Sequence, residues 1–203
     1  MVTTAKDGSS PSTSTPAKVS TGVPGLDDIL RGGLAPNRLY LIEGAPGSGK
    51  TTLALQFLQC GRSAGERCLY VTLSETEEEL QDVVASHGMT LDDIDVFELA
   101  SEGDALTAGQ ELTLLHPWEV ELGETVKLIT DRIERINPAR VVFDSLSEMR
   151  LLAQDPLRYR RQILALKQFF IGRKATVLLL DGVGSRYGQN MVTTRENQPE
   201  TKA

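Results

Sequence analysis

Gly44-Ala45-Pro46-Gly47-Ser48-Gly49-Lys50-Thr51 matches the phosphate-binding P-loop pattern, in which four residues separate a glycine from Gly-Lys-Ser/Thr. The apolar residues 39–42 before it predict a strand, and residues 52–58 after it predict a helix. A P-loop connects a strand to a helix, so this context favours a phosphate site over a glycine-rich connecting loop that happens to contain Lys and Thr.

The residue types of this loop suit phosphate binding. Glycines let backbone N–H groups turn toward a phosphate, and a helix N-terminus adds unpaired donors and partial positive charge. Lys50 is predicted to reach the β- and γ-phosphates and to act in catalysis, and Thr51 is predicted to hold Mg²⁺. The predicted nucleotide-binding residues are Gly44, Ala45, Pro46, Gly47, Ser48, Gly49, Lys50, Thr51 and Thr52.

The composition of the 203 residues narrows the class of protein. A net charge of −7 gives no general attraction to nucleic acid or to an anionic membrane. No apolar run has the length of a membrane span, and the N-terminus lacks a signal-peptide core, so cytoplasmic location is expected. Cys60 and Cys68 have neither a CxxC partner nor a histidine cluster, which favours reduced thiols over metal or redox roles.

The chain is predicted to divide into a disordered tail at 1–19, one domain at 20–184 and a polar tail at 185–203. Within the domain, apolar strands alternate with helices. Strands are predicted at 39–42, 67–73, 94–99, 141–144 and 176–181. Helices are predicted at 25–30, from 52 to near Gly61 or Gly65, after Ser74, and at 159–170; a further helix is predicted from the apolar stripe Leu122, Val126, Ile129, Ile133 and Ile136. This alternation indicates an α/β fold whose mostly parallel sheet is covered on both faces.

Three acids lie at or just after predicted strands. Asp144 is predicted to anchor Mg²⁺, with a cap on the next turn as the alternative. Glu75 is predicted to be the catalytic residue that orients or deprotonates water; the alternative is an ordinary acid in the first turn of a helix capped by Ser74. Asp181 could sense a γ-phosphate, although an ordinary loop acid is the simpler interpretation.

Residues 20–34, the P-loop, residues 70–76 and residues 141–145 together resemble the KaiC-like branch of the RecA-type ATPases. The similarity spans residues 20–181. It implies a RecA-type P-loop core that binds ATP with Mg²⁺, and a homo-oligomeric ring, often a hexamer, with ATP between subunits. It makes Asp144 the Walker B acid, and it places the family's pair of adjacent acids on Ser74 and Glu75.

Two departures from the family pattern matter. The family usually has two adjacent glutamates where this chain has Ser74 and Glu75, so only Glu75 can act as a carboxylate base. The family core also continues through further strands, whereas this chain becomes polar after Asp181 and ends at Ala203. A sheet without those C-terminal strands is therefore expected, in a natural short form or a fragment, with an exposed edge that invites pairing.

Three functions are consistent with these features. The first is an ATP-binding, Mg²⁺-dependent ATPase with slow hydrolysis, used in signalling or regulated oligomeric assembly with an unidentified protein partner. The alternative is a scaffold that binds ATP or ADP without hydrolysing it, which the serine at position 74 favours. A DNA-binding recombinase-type ATPase is disfavoured by the acidic balance and by the lack of a basic stretch interleaved with aromatic residues.

Overall fold

The computed structural model describes residues 17–99, 117–153 and 155–182. Helices in these ranges are α1 Pro24–Ile29, α2 Lys50–Ser63, α3 Glu77–Ser86, α4 Pro117–Ile136, α5 Leu146–Ala153 and α6 Pro156–Phe170. Strands are β1 Leu39–Gly44, β2 Cys68–Thr72, β3 Ile94–Glu98, β4 Arg140–Asp144 and β5 Thr176–Gly182. The predicted C-terminal tail lies outside the described residues, as does the N-terminal tail up to residue 16. Val19 forms a bridge with Leu34.

The five strands form one parallel sheet in the order β1-β5-β4-β2-β3. This confirms the predicted α/β fold with helices on both faces. Because all strands run in one direction, their carboxyl ends meet at one edge of the sheet. The register pairs Gly44 with Gly182 and Thr72 with Asp144, which brings the P-loop and the predicted Walker B acid to that edge.

Successive side chains of each strand point to opposite faces of the sheet, and a hydrophobic core lies on each face. Even-numbered residues of β2, β4 and β5 pack with α2 and α3, and we call this side the α2 face. Odd-numbered residues of the same strands pack with α4, α5 and α6, on what we call the α4–α6 face. Val126, Ile129, Ile133 and Ile136, which recur at helical spacing along α4, are buried on the α4–α6 face. The side of the sheet that a strand-end acid faces therefore follows from its place in this alternation.

The segment before β1 is fixed to the domain through Asp27. Its carboxylate accepts hydrogen bonds from Thr21 N (2.8 Å), Thr21 Oγ1 (2.7 Å) and Ser20 Oγ (2.5 Å). Burial opposes ionisation of Asp27, but these bonds outweigh it and lower the pKa of the carboxyl. Gly22 has a φ of +79°, and a Cβ there would lie 2.6 Å from the Gln56 carbonyl oxygen of α2. The Ser-Thr-Gly sequence is thus a packing motif.

Arg140, at the start of β4, joins three parts of the chain. Its side chain is buried and donates hydrogen bonds to the carbonyl oxygens of Ser20 (2.7 Å) and Phe57 (2.8 Å). It also pairs with the Glu66 carboxylate at 2.5 Å. A buried guanidinium is stable only when its donors are satisfied, so these contacts fix the position of α2, which carries the P-loop at its N-terminus.

The structure corrects one local prediction and adds one helix that was not predicted. Ser74 does not cap the helix after β2; Thr76 does, in a capping box with Glu79, and α3 begins at Glu77. The reason lies in Thr72, whose Oγ1 accepts from Glu75 N (3.0 Å) and donates to Glu75 O (2.7 Å), so that the chain turns before the helix starts. The sequence also failed to indicate α5, whose eight residues follow β4 after a single residue.

Three further observations concern the edge of the sheet, the two cysteines and the length of the apolar helices. Within the described residues β1 pairs with β5 alone, and Leu41 on β1 is 51% exposed. Cys60 and Cys68 are free thiols, and burial raises the pKa of Cys68 to about 11. None of the described helices combines the length and the apolar character needed to cross a membrane.

Candidate functional site

The P-loop connects Gly44, the last residue of β1, to Lys50, the first residue of α2. Residues 45–49 are exposed, and Thr52 is half-buried in the first turn of the helix. Gly47 and Gly49 have φ values of +75° and +85°, a conformation that side chains disfavour. Gly49 is the N-cap of α2 and provides no side-chain cap. The N–H groups that begin α2 are therefore free of a capping side chain, and they suit a phosphate.

Lys50 folds back over this loop. Its Nζ donates to the carbonyl oxygens of Gly44 (3.0 Å) and Ala45 (3.1 Å). No carboxylate among the described residues lies within ion-pair distance of this ammonium group. None of the described carboxylates thus neutralises its charge, which is the state expected of a group that binds an anion.

Thr51 and Asp144 meet at the N-terminus of α2. Thr51 Oγ1 donates to Asp144 Oδ2 at 3.0 Å, although the two residues are 93 positions apart in the sequence. Asp144 is an even-numbered residue, so its side chain lies on the α2 face. Mg²⁺ is usually held by one or two protein oxygen ligands together with phosphate oxygens, and this hydroxyl and carboxylate fit that donor set.

Tyr70 on β2 contacts the same carboxylate and was not predicted as a site residue. Its ring is completely buried on the α2 face, and its hydroxyl donates to Asp144 Oδ2 at 2.6 Å. Burial and the Asp144 charge raise the pKa of Tyr70 well above its ordinary value, so the hydroxyl stays protonated and remains a donor. One sequence signal was available, because a tyrosine within a buried strand needs a partner for its hydroxyl.

Glu75 lies in the turn between β2 and α3 and is half-buried. Its Oε2 is buried and accepts no hydrogen bond from the described residues. Burial, and then the neighbouring carboxylates of Asp144, Glu79 and Glu148, raise the pKa of Glu75. The structure therefore brings Glu75 into the electrostatic environment of Asp144. A carboxylate with a raised pKa is a stronger proton acceptor, as a general base requires.

A family model described as KaiC ATPase matches residues 19–195. The chain belongs to the KaiC ATPase family. A UPF0273 protein of Pyrococcus horikoshii is 32% identical over 172 residues, 82% of this chain and 68% of the relative. Another, from Pyrococcus furiosus, is 32% identical over 177 residues, 83% and 70% of the two chains. The circadian clock oscillator protein KaiC of Thermostichus vulcanus is 33% identical over 132 residues, 65% of this chain but 24% of its own length.

Asp181 lies apart from the residues described above. It is an odd-numbered residue, and its buried side chain lies on the α4–α6 face. Ser147 Oγ donates to its Oδ1 at 3.0 Å, and Arg150 Nη2 donates to its Oδ2 at 2.6 Å. The Arg150 guanidinium also lies over the Tyr159 ring, 5.0 Å from its centroid. Asp181 lies within β5 and not in a loop, contrary to the simpler interpretation, and these contacts favour a structural role over that of a γ-phosphate sensor.

Proposed function

We propose that this KaiC-family chain binds ATP with Mg²⁺ at residues 44–52 and hydrolyses it slowly. The proposal rests above all on the 3.0 Å contact between Thr51 and Asp144. That contact puts a hydroxyl and a carboxylate, both Mg²⁺ donors, next to a helix N-terminus and an unneutralised lysine. No cluster of three or more His, Cys, Asp or Glu side chains that could hold a metal lies within the described ranges. Mg²⁺ would therefore be held by this pair together with phosphate oxygens and water.

Each part of the site has a proposed role. The N–H groups of the loop and the Lys50 ammonium hold the β- and γ-phosphates, and Thr51 and Asp144 hold the metal. Bound Mg²⁺ would neutralise charge that develops on the phosphoryl oxygens during transfer. The protein side chains lose few hydrogen bonds when these ligands bind, because Lys50 exchanges two neutral carbonyl contacts for charged ones.

Glu75 is proposed to orient the attacking water and to accept its proton. Support comes from its raised pKa and from the buried Oε2, which has no hydrogen-bond donor among the described residues. Ser74 beside it is exposed and carries no carboxylate. A single acid where the family usually has two supports slow turnover.

The cycle is proposed to serve signalling or regulated assembly of a homo-oligomer, with a hexamer as the expected form. Contacts to the γ-phosphate would bias the arrangement of the subunits, as in other nucleotide switches. The family membership and the relative named a circadian clock oscillator protein support this use. A monomer both with and without ATP and Mg²⁺, measured by light scattering, would contradict the assembly part of the proposal.

A second candidate function is a nucleotide-dependent scaffold without turnover. The observation that favours it is the exposed Ser74, which removes one carboxylate from the site. Such a protein would bind ATP and Mg²⁺ through the same groups and would release no phosphate. Nucleotide binding tests both functions together, and hydrolysis separates them.

Substitution of Lys50 by alanine tests nucleotide binding. We expect a 10- to 100-fold loss of affinity for a non-hydrolysable fluorescent ATP analogue, because charge-assisted bonds of about 1.5–3 kcal/mol are removed. Lys167→Ala is the matched control, since Lys167 is an exposed lysine on α6. Unchanged affinity in the Lys50 variant would mean that the P-loop assignment is wrong.

Glu75→Gln tests hydrolysis, with Glu78→Gln as its control because Glu78 is an exposed acid in the first turn of α3. Removal of a general base lowers a rate by about 10²–10⁴-fold, and we expect a loss in this range for Glu75 alone. Equal rates for the two variants and the unmodified protein would remove Glu75 from catalysis. Tight binding with no phosphate release by the unmodified protein would favour the scaffold.

A further inference from the structure

The hydroxyl group of Tyr70 is not needed to fill the space that the side chain occupies. All five residues of β2 are buried, and the Tyr70 side chain has no exposed surface. A phenylalanine would fill this apolar space equally well. A buried hydroxyl costs free energy unless it is hydrogen-bonded, and the bond that Tyr70 makes is to Asp144. The hydroxyl therefore relates to the carboxylate rather than to the core.

The two hydroxyls on Asp144 share one oxygen. Tyr70 donates to Oδ2 at 2.6 Å, and Thr51 donates to the same atom at 3.0 Å. No hydrogen bond from the described residues reaches Oδ1. The two donors belong to different elements, Thr51 to α2 and Tyr70 to β2, and together they restrict rotation of the Asp144 side chain. The carboxylate is thus held with Oδ2 occupied and Oδ1 available to another ligand.

We propose that Tyr70 is a positioning residue, which fixes the orientation of the Asp144 carboxylate and thereby sets the Mg²⁺ concentration that nucleotide binding requires. This inference rests on the proposed function, because it takes Asp144 to be the metal acid. Tyr70 itself touches neither nucleotide nor metal. Outer partners that orient a metal-binding carboxylate affect metal affinity by about 10- to 100-fold when they are removed.

The position of β2 in the sheet explains how the Tyr70 hydroxyl reaches Asp144. Strand β2 lies beside β4, with Tyr70 paired to Val142 and Thr72 paired to Asp144. The Tyr70 hydroxyl therefore reaches diagonally along the strand to the carboxylate. The backbone supports the same arrangement, since Leu73 N donates to Asp144 O at 2.8 Å. Both ends of the hydrogen bond are thus fixed by the sheet.

Tyr70→Phe is the variant that tests this role, because it removes the hydroxyl and keeps the ring. Tyr40→Phe is the matched control: the Tyr40 hydroxyl, on β1, donates to the Ala35 carbonyl oxygen at 3.0 Å. The measurement is the affinity for a non-hydrolysable fluorescent ATP analogue, first in EDTA and then across a Mg²⁺ titration. We expect Tyr70→Phe to raise the half-saturating Mg²⁺ concentration about 10-fold, with EDTA affinity unchanged, and Tyr40→Phe to change neither.

Asp144→Asn, titrated in parallel, separates the two proposals. If it raises the Mg²⁺ requirement and Tyr70→Phe does not, the positioning role is overturned and the metal assignment stands. If neither variant changes the requirement, Asp144 is not the metal acid, and the proposed function fails together with the inference. An equal loss of affinity with and without Mg²⁺ in Tyr70→Phe would show a general packing defect and would also overturn the positioning role.

Discussion

The carboxyl ends of β4 and β5 look alike in sequence and differ in chemistry. Each strand contains an apolar run that is followed directly by an aspartate, Asp144 on β4 and Asp181 on β5. Asp144 lies on the α2 face, where its partners are the neutral hydroxyls of Thr51 and Tyr70. Asp181 lies on the opposite face, where Arg150 neutralises it.

The two acids therefore differ in charge compensation. Asp181 has a cationic partner in Arg150, whereas the hydrogen-bond partners of Asp144 among the described residues are neutral. Within the described residues, no basic side chain lies within ion-pair distance of Asp144. Burial and the charge of Asp144 raise the pKa of Glu75, so a second negative charge beside Asp144 is unfavourable. A metal ion would offset this negative charge, whereas the Asp181 pair has no need of one. The comparison therefore predicts that ligand binding depends on the first acid and that folding depends on the second.

The largest expected effect separates the two acids by function. Asp144→Asn should lower the Mg²⁺-dependent ATPase rate by about 100-fold, because the carboxylate that holds the metal loses its charge. Asp181→Asn should leave the rate within a few-fold of the unmodified protein. Phosphate release at saturating nucleotide, measured on folded samples, checks both.

Similar losses of rate in the two variants would contradict the comparison. Excess Mg²⁺ sharpens the test, because a weakened metal site recovers at high metal concentration and a disturbed fold does not. Partial recovery is expected for Asp144→Asn alone.

Much of this site could be predicted from the sequence, and the limit is physical. The P-loop was identified because its residues are contiguous and their chemistry is local. Asp144 was predicted to be the metal acid because it ends an apolar run, and that role stays a prediction. The face on which each acid lies was not predicted, since a shift of one residue in a strand moves every side chain to the other face. Tyr70 was missed for a related reason: its contact with Asp144 depends on the order of the strands in the sheet.

The second prediction concerns the folding role of Asp181. Asp181→Asn should lower the free energy of unfolding by about 2 kcal/mol, because Arg150 loses its ion-pair partner. This figure is below the cost for a fully buried pair because the Arg150 side chain remains 29% exposed. Urea unfolding with a double-mutant cycle that includes Arg150→Met measures the coupling.

Asp144→Asn is the control for this stability effect. Asparagine still accepts from the Thr51 and Tyr70 hydroxyls, and it removes repulsion with Glu75, so stability should be unchanged or slightly higher. A loss as large as that of Asp181→Asn would show that both acids are structural.

A smaller effect is expected at Ser147, which connects α5 to the end of β5. Its hydroxyl donates to Asp181 Oδ1 at 3.0 Å and accepts from Gly182 N at 3.2 Å. Ser147→Ala should lower the free energy of unfolding by about 1 kcal/mol, the typical net value of such bonds. Affinity for nucleotide should not change; a marked loss would mean that the α4–α6 face contributes to the site after all.

The smallest expected effect is a pH dependence of the free energy of unfolding, which arises from Glu75 near Asp144. Folding raises the pKa of Glu75 above its ordinary value of 4.5. Between 4.5 and the raised value, the folded state binds more protons than the unfolded state, so this group lowers stability as pH rises through that window. Glu75→Gln cannot ionise, and it should therefore be slightly more stable than the unmodified protein at pH 7. The difference should disappear as the pH falls below 4.5.

Urea unfolding at several pH values measures this trend, and Glu78→Gln is again the control because its carboxylate is exposed. Repulsion from Asp144 is part of the cause, so the gain from Glu75→Gln should shrink in an Asp144→Asn background. A gain that is constant with pH would point to packing instead of charge. Coupling between the two substitutions would show that the site tolerates unfavourable charge in the absence of a metal, as the proposed ATPase requires.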